Sequence, residues 1–510
     1  MERYVSKIAR MLVVAVFASL VLAAPACAAN GKWLRAESKH FIAYGEVSER
    51  ELREAVRELE TLDSVLRWYL VVDANAEDGA KLEYYLVKNM NGIRLAQPSL
   101  DRQVAGFYMA RPDVIAAVGM ARDGGGYEGA GRQILFHEYA HHFMFQHFPG
   151  SYPTWYVEGF AEYISSINFD RRQINIGALT QSTRDQLVNE TWLDFDKVFT
   201  AKMSDLATQD RLRFYALAWA TMHYMLSDAA RGKQLTEYIS LMRGGVASKE
   251  AFEKAFSATY AQIGQQVKAY LYKGLAYRQI DSARVSLASA SEVAVTPMPA
   301  SADTLLLPLL RIRLKGVMPA GASSSDRAAL YAEMKAKATP LAGDPFADRV
   351  LAYTEIYFGD PARAKPWLDA ALARDPNDVD ALYLMGVMYL AQAEGQGERE
   401  IKNLTEGRAY LGRLFKITDS NVPMLYYYAM SYMKRGRPTE NQVNVLLRAQ
   451  SLAPQVVEIG INTAQVLILE KRYQEAENIL RPIVGDPHGG GAAVAARRML
   501  DGFPVSSPPN

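Results

Sequence analysis

The stretch ILFHEYAHHFMF, Ile134–Phe145, sets His137, Glu138, His141 and His142 into an otherwise apolar run. Such groups are costly to bury unless something pairs with them. On a helix, His137 and His141 lie one turn apart on one face, where their imidazoles can grip a single cation. Glu138 is offset by one residue and reaches beside such an ion rather than onto it. That is where a general base must sit to take a proton from metal-activated water. The competing reading is the polar face of a surface helix. The flanking Ile134, Leu135, Phe136, Phe143, Met144 and Phe145 weaken it, because a helix apolar on most sides is buried.

Working outward, the segment TWYVEGFAEY supplies Glu158, with sixteen residues between it and His141. That gap holds the end of one helix, a turn over Pro149–Pro153 and an antiparallel return. His137, His141 and Glu158 are therefore the expected ligands of one zinc ion per chain. Glu162 follows Glu158 by one helical turn, so two like charges share a face. The conflict is resolved if Glu158 binds the metal and Glu162 accepts a proton from a ligand histidine, fixing its tautomer. His142 and His147 read as local hydrogen-bond partners or surface groups, and His40 and His488 carry no motif.

HEYAH followed by WYVEGFAEY resembles the gluzincin metallopeptidases, a family that includes thermolysin and the alanyl aminopeptidases. The resemblance covers about residues 32–275. It implies His137, His141 and Glu158 as zinc ligands and Glu138 as base, and Glu162 matches an acidic residue thermolysin carries four positions after its glutamate ligand. It also implies a tyrosine, on a helix well after the glutamate, that donates to the developing oxyanion. Tyr215 is the candidate and His223 the second choice. The aminopeptidases' Gly-x-Met-Glu-Asn type motif is absent, with Val104–Tyr108 in that region, so aminopeptidase activity is not carried over.

The rest of the chain frames this motif. With 510 residues, about half of them apolar, it is too long for one ordinary core. A net charge of +1 without a basic block argues against nucleic acid as a partner. Residues 1–28 read as a secretory signal peptide: Arg3, Lys7 and Arg10, then an apolar run Met11–Ala24, then Ala26-Cys27-Ala28. An uncleaved anchor is the alternative. Cys27 is the only cysteine, so the mature chain is expected to lack disulfides and thiolate ligands. A lipid anchor on Cys27 is the lesser alternative to a periplasmic or secreted protein, with no membrane span in the mature chain.

Residues 30–280 read as the α/β-patterned domain carrying the motif. Strands are expected over His40–Gly45 and Lys81–Lys88 and in a hairpin around Arg111-Pro112. A helix opens on the capping box Ser48–Glu51 and runs to about Tyr69. Asp123–Gly126 is a loop that lacks the Gly-Lys-Ser/Thr of a phosphate site. The Ser/Ala/Pro-rich stretch 281–303 reads as a linker, and 304–344 as a helical pair. Over 345–500, Gly386 then Tyr389 and Ala429 then Tyr432 repeat one spacing, as Ala364/Leu368 and Ala476/Leu480 do. Pro454 and Pro487 lie 33 apart. This resembles tetratricopeptide repeats.

The expected fold is thus an α+β zincin-like metallopeptidase domain, a small sheet plus active-site helices, followed by an all-α tetratricopeptide-repeat solenoid. The expected function is an exported zinc-dependent peptidase acting on a peptide or protein, with the repeats recruiting a protein partner or substrate through their concave face. Two alternatives stay open. One is an envelope scaffold whose zinc domain is catalytically weak; the other is hydrolysis of a different amide, such as one in the cell wall.

Overall fold

The computed structural model describes residues 30–73, 77–100, 104–120, 130–170, 172–285, 293–315, 324–393, 397–433, 438–485 and 490–503. The signal-peptide reading, Cys27, the Asp123–Gly126 loop, Pro487 and His488 lie outside them. Among the described residues, no helix is long and apolar enough to cross a membrane.

The chain is α+β: a six-stranded mixed sheet in the N-terminal part, then a long helical region. Strands β1 (Asn30–Glu37) and β2 (Phe41–Gly45) form an antiparallel pair. Helix α1 (Glu49–Tyr69) follows, and its Ser48/Glu51 capping box closes as the sequence signals. β3 (Leu82–Val87) runs parallel to β2. After the short helix α2 (Met90–Ala96) come β4 (Gly106–Arg111) and β5 (Val114–Met120), a hairpin whose second strand lies parallel to β3. The sheet order is β4-β5-β3-β2-β1 and then β9 (Ala294–Pro299), which makes β4 a terminal strand.

Side-chain alternation splits the sheet's residues between two cores. Leu82, Tyr84 and Leu86 face one side with α1 and the motif helix α3 (Ala130–His147). Tyr85 and Val87 face the other with Ile93 of α2. Both faces are covered, which is why β3 reads as a nearly continuous apolar run.

Beyond α3 lie α4 (Thr154–Ser165), the small strands β6 (Asn168–Phe169) and β7 (Gln173–Ile176), and helices α5 (Gln181–Asn189), α6 (Phe195–Thr200), α7 (Thr208–Leu226), α8 (Ala229–Arg243), α9 (Ser248–Phe256) and α10 (Tyr260–Leu271). β8 (Arg278–Asp281) pairs back on β7. The stretch 281–303 has linker composition, yet Ala294–Pro299 form β9, antiparallel to β1. Pro297 and Pro299 are compatible with a strand there because β9 is the other terminal strand. α11 (Ala302–Lys315) then covers the sheet's second face through Leu306 and Leu310.

The helical region continues with α12 (Ser324–Ala338), α13 (Pro345–Phe358), α14 (Lys365–Arg374), α15 (Val379–Ala391), α16 (Glu398–Phe415), α17 (Val422–Met433), α18 (Glu440–Leu452), α19 (Val457–Leu469), α20 (Tyr473–Val484) and α21 (Gly490–Asp501). Neighbours in sequence pack on each other, and α13, α15 and α17 also pack side by side. Gly386 of α15 lets the backbones approach: a Cβ there would lie 3.3 Å from the Gly407 carbonyl oxygen of α16.

Candidate metal centre

Helix α3 is held on several sides. Near its start, Arg132 donates through Nη1 to the Ile167 carbonyl at 3.0 Å, and its guanidinium lies over Phe136 and Phe169. In its middle, the Tyr139 hydroxyl donates to Asp63 Oδ1 of α1 at 2.7 Å. At its end, the Tyr152 hydroxyl donates to the Phe148 carbonyl at 2.8 Å, closing the turn into α4. The chain therefore returns antiparallel with α4 packed along α3. Gly159, next to Glu158, permits the close crossing of α4 and α7, since a Cβ there would lie 2.6 Å from the Ala218 carbonyl oxygen.

This frame brings the three expected ligands together. His137 Nε2 and His141 Nε2 are 3.0 Å apart, and Glu158 Oε2 lies 3.4 Å from the first and 3.5 Å from the second. Donors on a tetrahedral ion with bonds of about 2.0–2.1 Å are roughly 3.3–3.4 Å apart, so this triangle has the size of one tetrahedral face. Two imidazole nitrogens and a carboxylate oxygen are also a donor set that suits zinc. The residues fit the ion. Glu158 is 2 % exposed and His141 8 %, so the cluster is withdrawn from water.

Glu162 Oε1 is 3.1 Å from His137 Nδ1, which leaves Nε2 of that ring directed at the cluster. Burial, the largest influence on His137, opposes its charge. Hydrogen bonds to Glu158 and Glu162 outweigh it and hold the imidazole well above its usual range.

Tyr215 of α7 meets the His137 ring edge-on, with centroids 5.9 Å apart and planes at 83°. Burial first, then the charges of Glu158, Glu162 and Glu138, push its hydroxyl well above the usual value of 10.0, so it stays a proton donor. His223, two turns further along α7, is 3 % exposed and its Nδ1 lies 2.9 Å from the Tyr270 hydroxyl. Of the two oxyanion candidates, Tyr215 is the one that adjoins the cluster.

Glu138 faces the sheet. A Cβ on Gly106, at the start of β4, would overlap Ile134 of α3 and lie 3.5 Å from Glu138 Oε1, so the missing side chain lets α3 come close to the strand beside the carboxylate. One turn on, His142 Nδ1 is 3.3 Å from the Tyr108 hydroxyl of β4. Burial pushes His142 down to about 3, so it is neutral and acts as a local hydrogen-bond partner.

Sequence reasoning did not single out Tyr84 or Tyr108. Tyr84 is fully buried in β3, and burial together with the charge of Glu138 pushes its hydroxyl up. Both sit in strand alternation, where a tyrosine reads as core, so no local signal marks them. Nor was a second group of this kind foreseen, at His40, Glu60 and Asp63, whose side-chain donors also converge. The chain matches no protein-family model, and no curated protein matches it in sequence.

Proposed function

We propose that the protein is an exported zinc metallopeptidase, with the ion held by His137, His141 and Glu158. The observation that carries this reading is the triangle of three donor atoms, sized for one face of a tetrahedron, with Glu138 beside it. When bound, the ion supplies Lewis acidity, polarising the scissile carbonyl and acidifying water.

The chain's own groups do the remaining work. Glu138 accepts the proton of the attacking water and delivers it to the leaving amine. Tyr215 donates its hydroxyl to the oxygen that becomes negative. Glu162 orients His137 through Nδ1, leaving Nε2 for the metal. Strand β4 is terminal in the sheet, so an extended peptide can add to its outer edge and pass Glu138 at the Gly106 end. A peptide substrate is favoured over another amide on that account.

The zincin-like character of the N-terminal domain is supported by the sheet with α3 packed on its β4–β5 hairpin and α4 packed along α3. The tetratricopeptide-like reading of the later helices is supported by the side-by-side packing of α13, α15 and α17. Export to the periplasm or beyond rests on the N-terminal sequence, and recruitment of a protein partner rests on the repeat-like pattern.

The test is Glu138→Ala in the full chain. Zinc content by elemental analysis is expected to persist while cleavage of a diverse peptide library disappears, and a chelator is expected to stop the parent protein. Undiminished cleavage by the variant overturns the role given to Glu138. A zinc-loaded parent that cleaves nothing favours the scaffold reading.

A further inference from the structure

We infer that the C-terminal helices act as a clamp on the β4–β5 hairpin, and that Asp113 is a positioning residue for the strand lining the metal centre. The inference rests on the peptidase reading for its catalytic consequence, though not for its mechanical part.

Asp113 sits at the tip of the hairpin and is 3 % exposed. Its carboxylate accepts hydrogen bonds from three tyrosines. The Tyr357 hydroxyl of α13 donates to Oδ1 at 2.6 Å, the Tyr383 hydroxyl of α15 donates to the same oxygen, and the Tyr427 hydroxyl of α17 donates to Oδ2 at 3.2 Å. These are the three helices that pack side by side, so one carboxylate is read by three successive helical pairs. The Asp113 carbonyl accepts from Arg313 Nη2 of α11 at 2.9 Å, while the same guanidinium grips Glu83 of β3 with two bonds of 2.8 Å. Arg111, the last residue of β4, pairs with Glu458 of α19.

The same strand runs from this clamp to the site. Arg111 and Gly106 close opposite ends of β4, about 17 Å apart at roughly 3.4 Å per residue. Gly106 is where Ile134 of α3 packs on the strand, next to Glu138, and Tyr108, between Gly106 and Arg111, faces His142 of α3. A terminal strand has a ladder on one side only, so its other restraints decide how still it stands. Here α3 supplies part of that restraint, and the rest comes from helices some two hundred or more residues later in the chain.

The helical region also touches the site from elsewhere. Gly485, after α20, packs on Ser151 in the turn joining the two ligand helices, so closely that a Cβ there would overlap the serine. The Leu452 carbonyl accepts from the Ala80 amide at 2.9 Å, and Arg448 pairs with Glu77. The strand carrying Gly106 and the turn joining the ligand helices are thus both fixed to one frame. The tyrosines that face the turn are occupied by this chain's own aspartate, so a partner seeking that surface must displace the hairpin.

The experiment is amide hydrogen exchange of residues 106–111, with zinc affinity and peptide kinetics measured on the same full-length samples. In Asp113→Ala, exchange in β4 is expected to rise about tenfold or more, as loss of hydrogen bonds to a charged acceptor implies. Exchange in α3 and zinc affinity are expected to stay at parent levels, with KM rising about tenfold and kcat changing far less. Asp113→Asn keeps Oδ1 as an acceptor for Tyr357 and Tyr383 and is expected to restore most of the protection. Should Asp113→Ala not fold, Tyr427→Phe removes one bond and is expected to give a smaller rise confined to the same strand. Unchanged β4 exchange, or a rise spread equally over α3 and β2, overturns the clamp. If the parent cleaves no peptide, the exchange result still decides the mechanical claim while the peptidase reading fails separately.

Discussion

Two groups of histidine and carboxylate adjoin the motif helix α3, which supplies His137 and His141 to one and the Tyr139 hydroxyl to the other, and they balance charge in different ways. At His137, His141 and Glu158, two imidazoles and a carboxylate point their donors at one spot. At His40, Glu60 and Asp63, one imidazole meets several acids, and the positive charge is supplied by the protein itself. His40 Nδ1 is 2.6 Å from Glu60 Oε2, Arg67 Nε donates to Asp63 Oδ2 at 2.8 Å, and Lys39 and Arg67 both reach Asp78. Tyr139 adds a donor to Asp63. Proximity of metal-ligand residue types is therefore not enough. The first group offers a cation donors of tetrahedral spacing, while the second has already bound its cations as side chains.

This contrast breaks most sharply at the ligands. His141→Ala is expected to lower zinc affinity by more than the roughly 100-fold that sets the upper range for outer-shell partners. Competition against a chromophoric chelator measures it, and parent-like affinity would put the metal elsewhere. In the second group, Asp63→Ala strands Arg67 and Tyr139 around a buried hole. It is expected to cost about 3 kcal/mol of stability by denaturant unfolding, with zinc stoichiometry unchanged. A lost zinc would instead make the second group a metal site.

Glu162→Ala sharpens the first group from outside. Zinc affinity is expected to fall by ~10–100-fold with stoichiometry kept; no change would mean that the contact to His137 Nδ1 does not orient the ring.

The smallest effect concerns pH. Burial, the largest influence, lowers His40, but the hydrogen bond to Glu60 and the charges of Asp63, Glu60 and Asp78 raise it overall above 6.5. The pair's share from His40 is thus fully present below about pH 6.5 and is lost as pH rises through the raised folded value. Burial works to raise Glu60, yet its bonds to His40 bring it below 4.5, so its share is lost as pH falls through that lower value. The Tm gap between the parent and His40→Gln is expected to be wider at pH 5.5 than at pH 8.5. A gap independent of pH would deny the ion pair any part in stability.

The convergence of His137, His141 and Glu158 was legible because its geometry is mostly local. HEYAH fixes two imidazoles by helical period alone, and a sixteen-residue gap leaves little choice for a return helix bringing Glu158. Glu162 follows from the same period. The α1 helix and its capping box, the β4–β5 hairpin and strands β2 and β3 were legible for similar reasons, each being a periodic pattern bounded by turn residues. β9 was not, because its proline-rich residues carry no strand pattern and its partner β1 is some 260 residues away. The network around His40 was equally hidden, since it joins a loop, α1 and the stretch before β3.

By itself, the sequence determined which residues share a helical turn, which faces are apolar, and hence the donors offered to a metal. The tertiary structure decided which strand stands beside Glu138, that Tyr215 rather than His223 adjoins the cluster, and that Asp113 is held by Tyr357, Tyr383 and Tyr427. The physical reason is range. Helical period acts over a few residues and is written in their order, whereas contacts across hundreds of residues depend on how whole layers pack, and no local pattern records that.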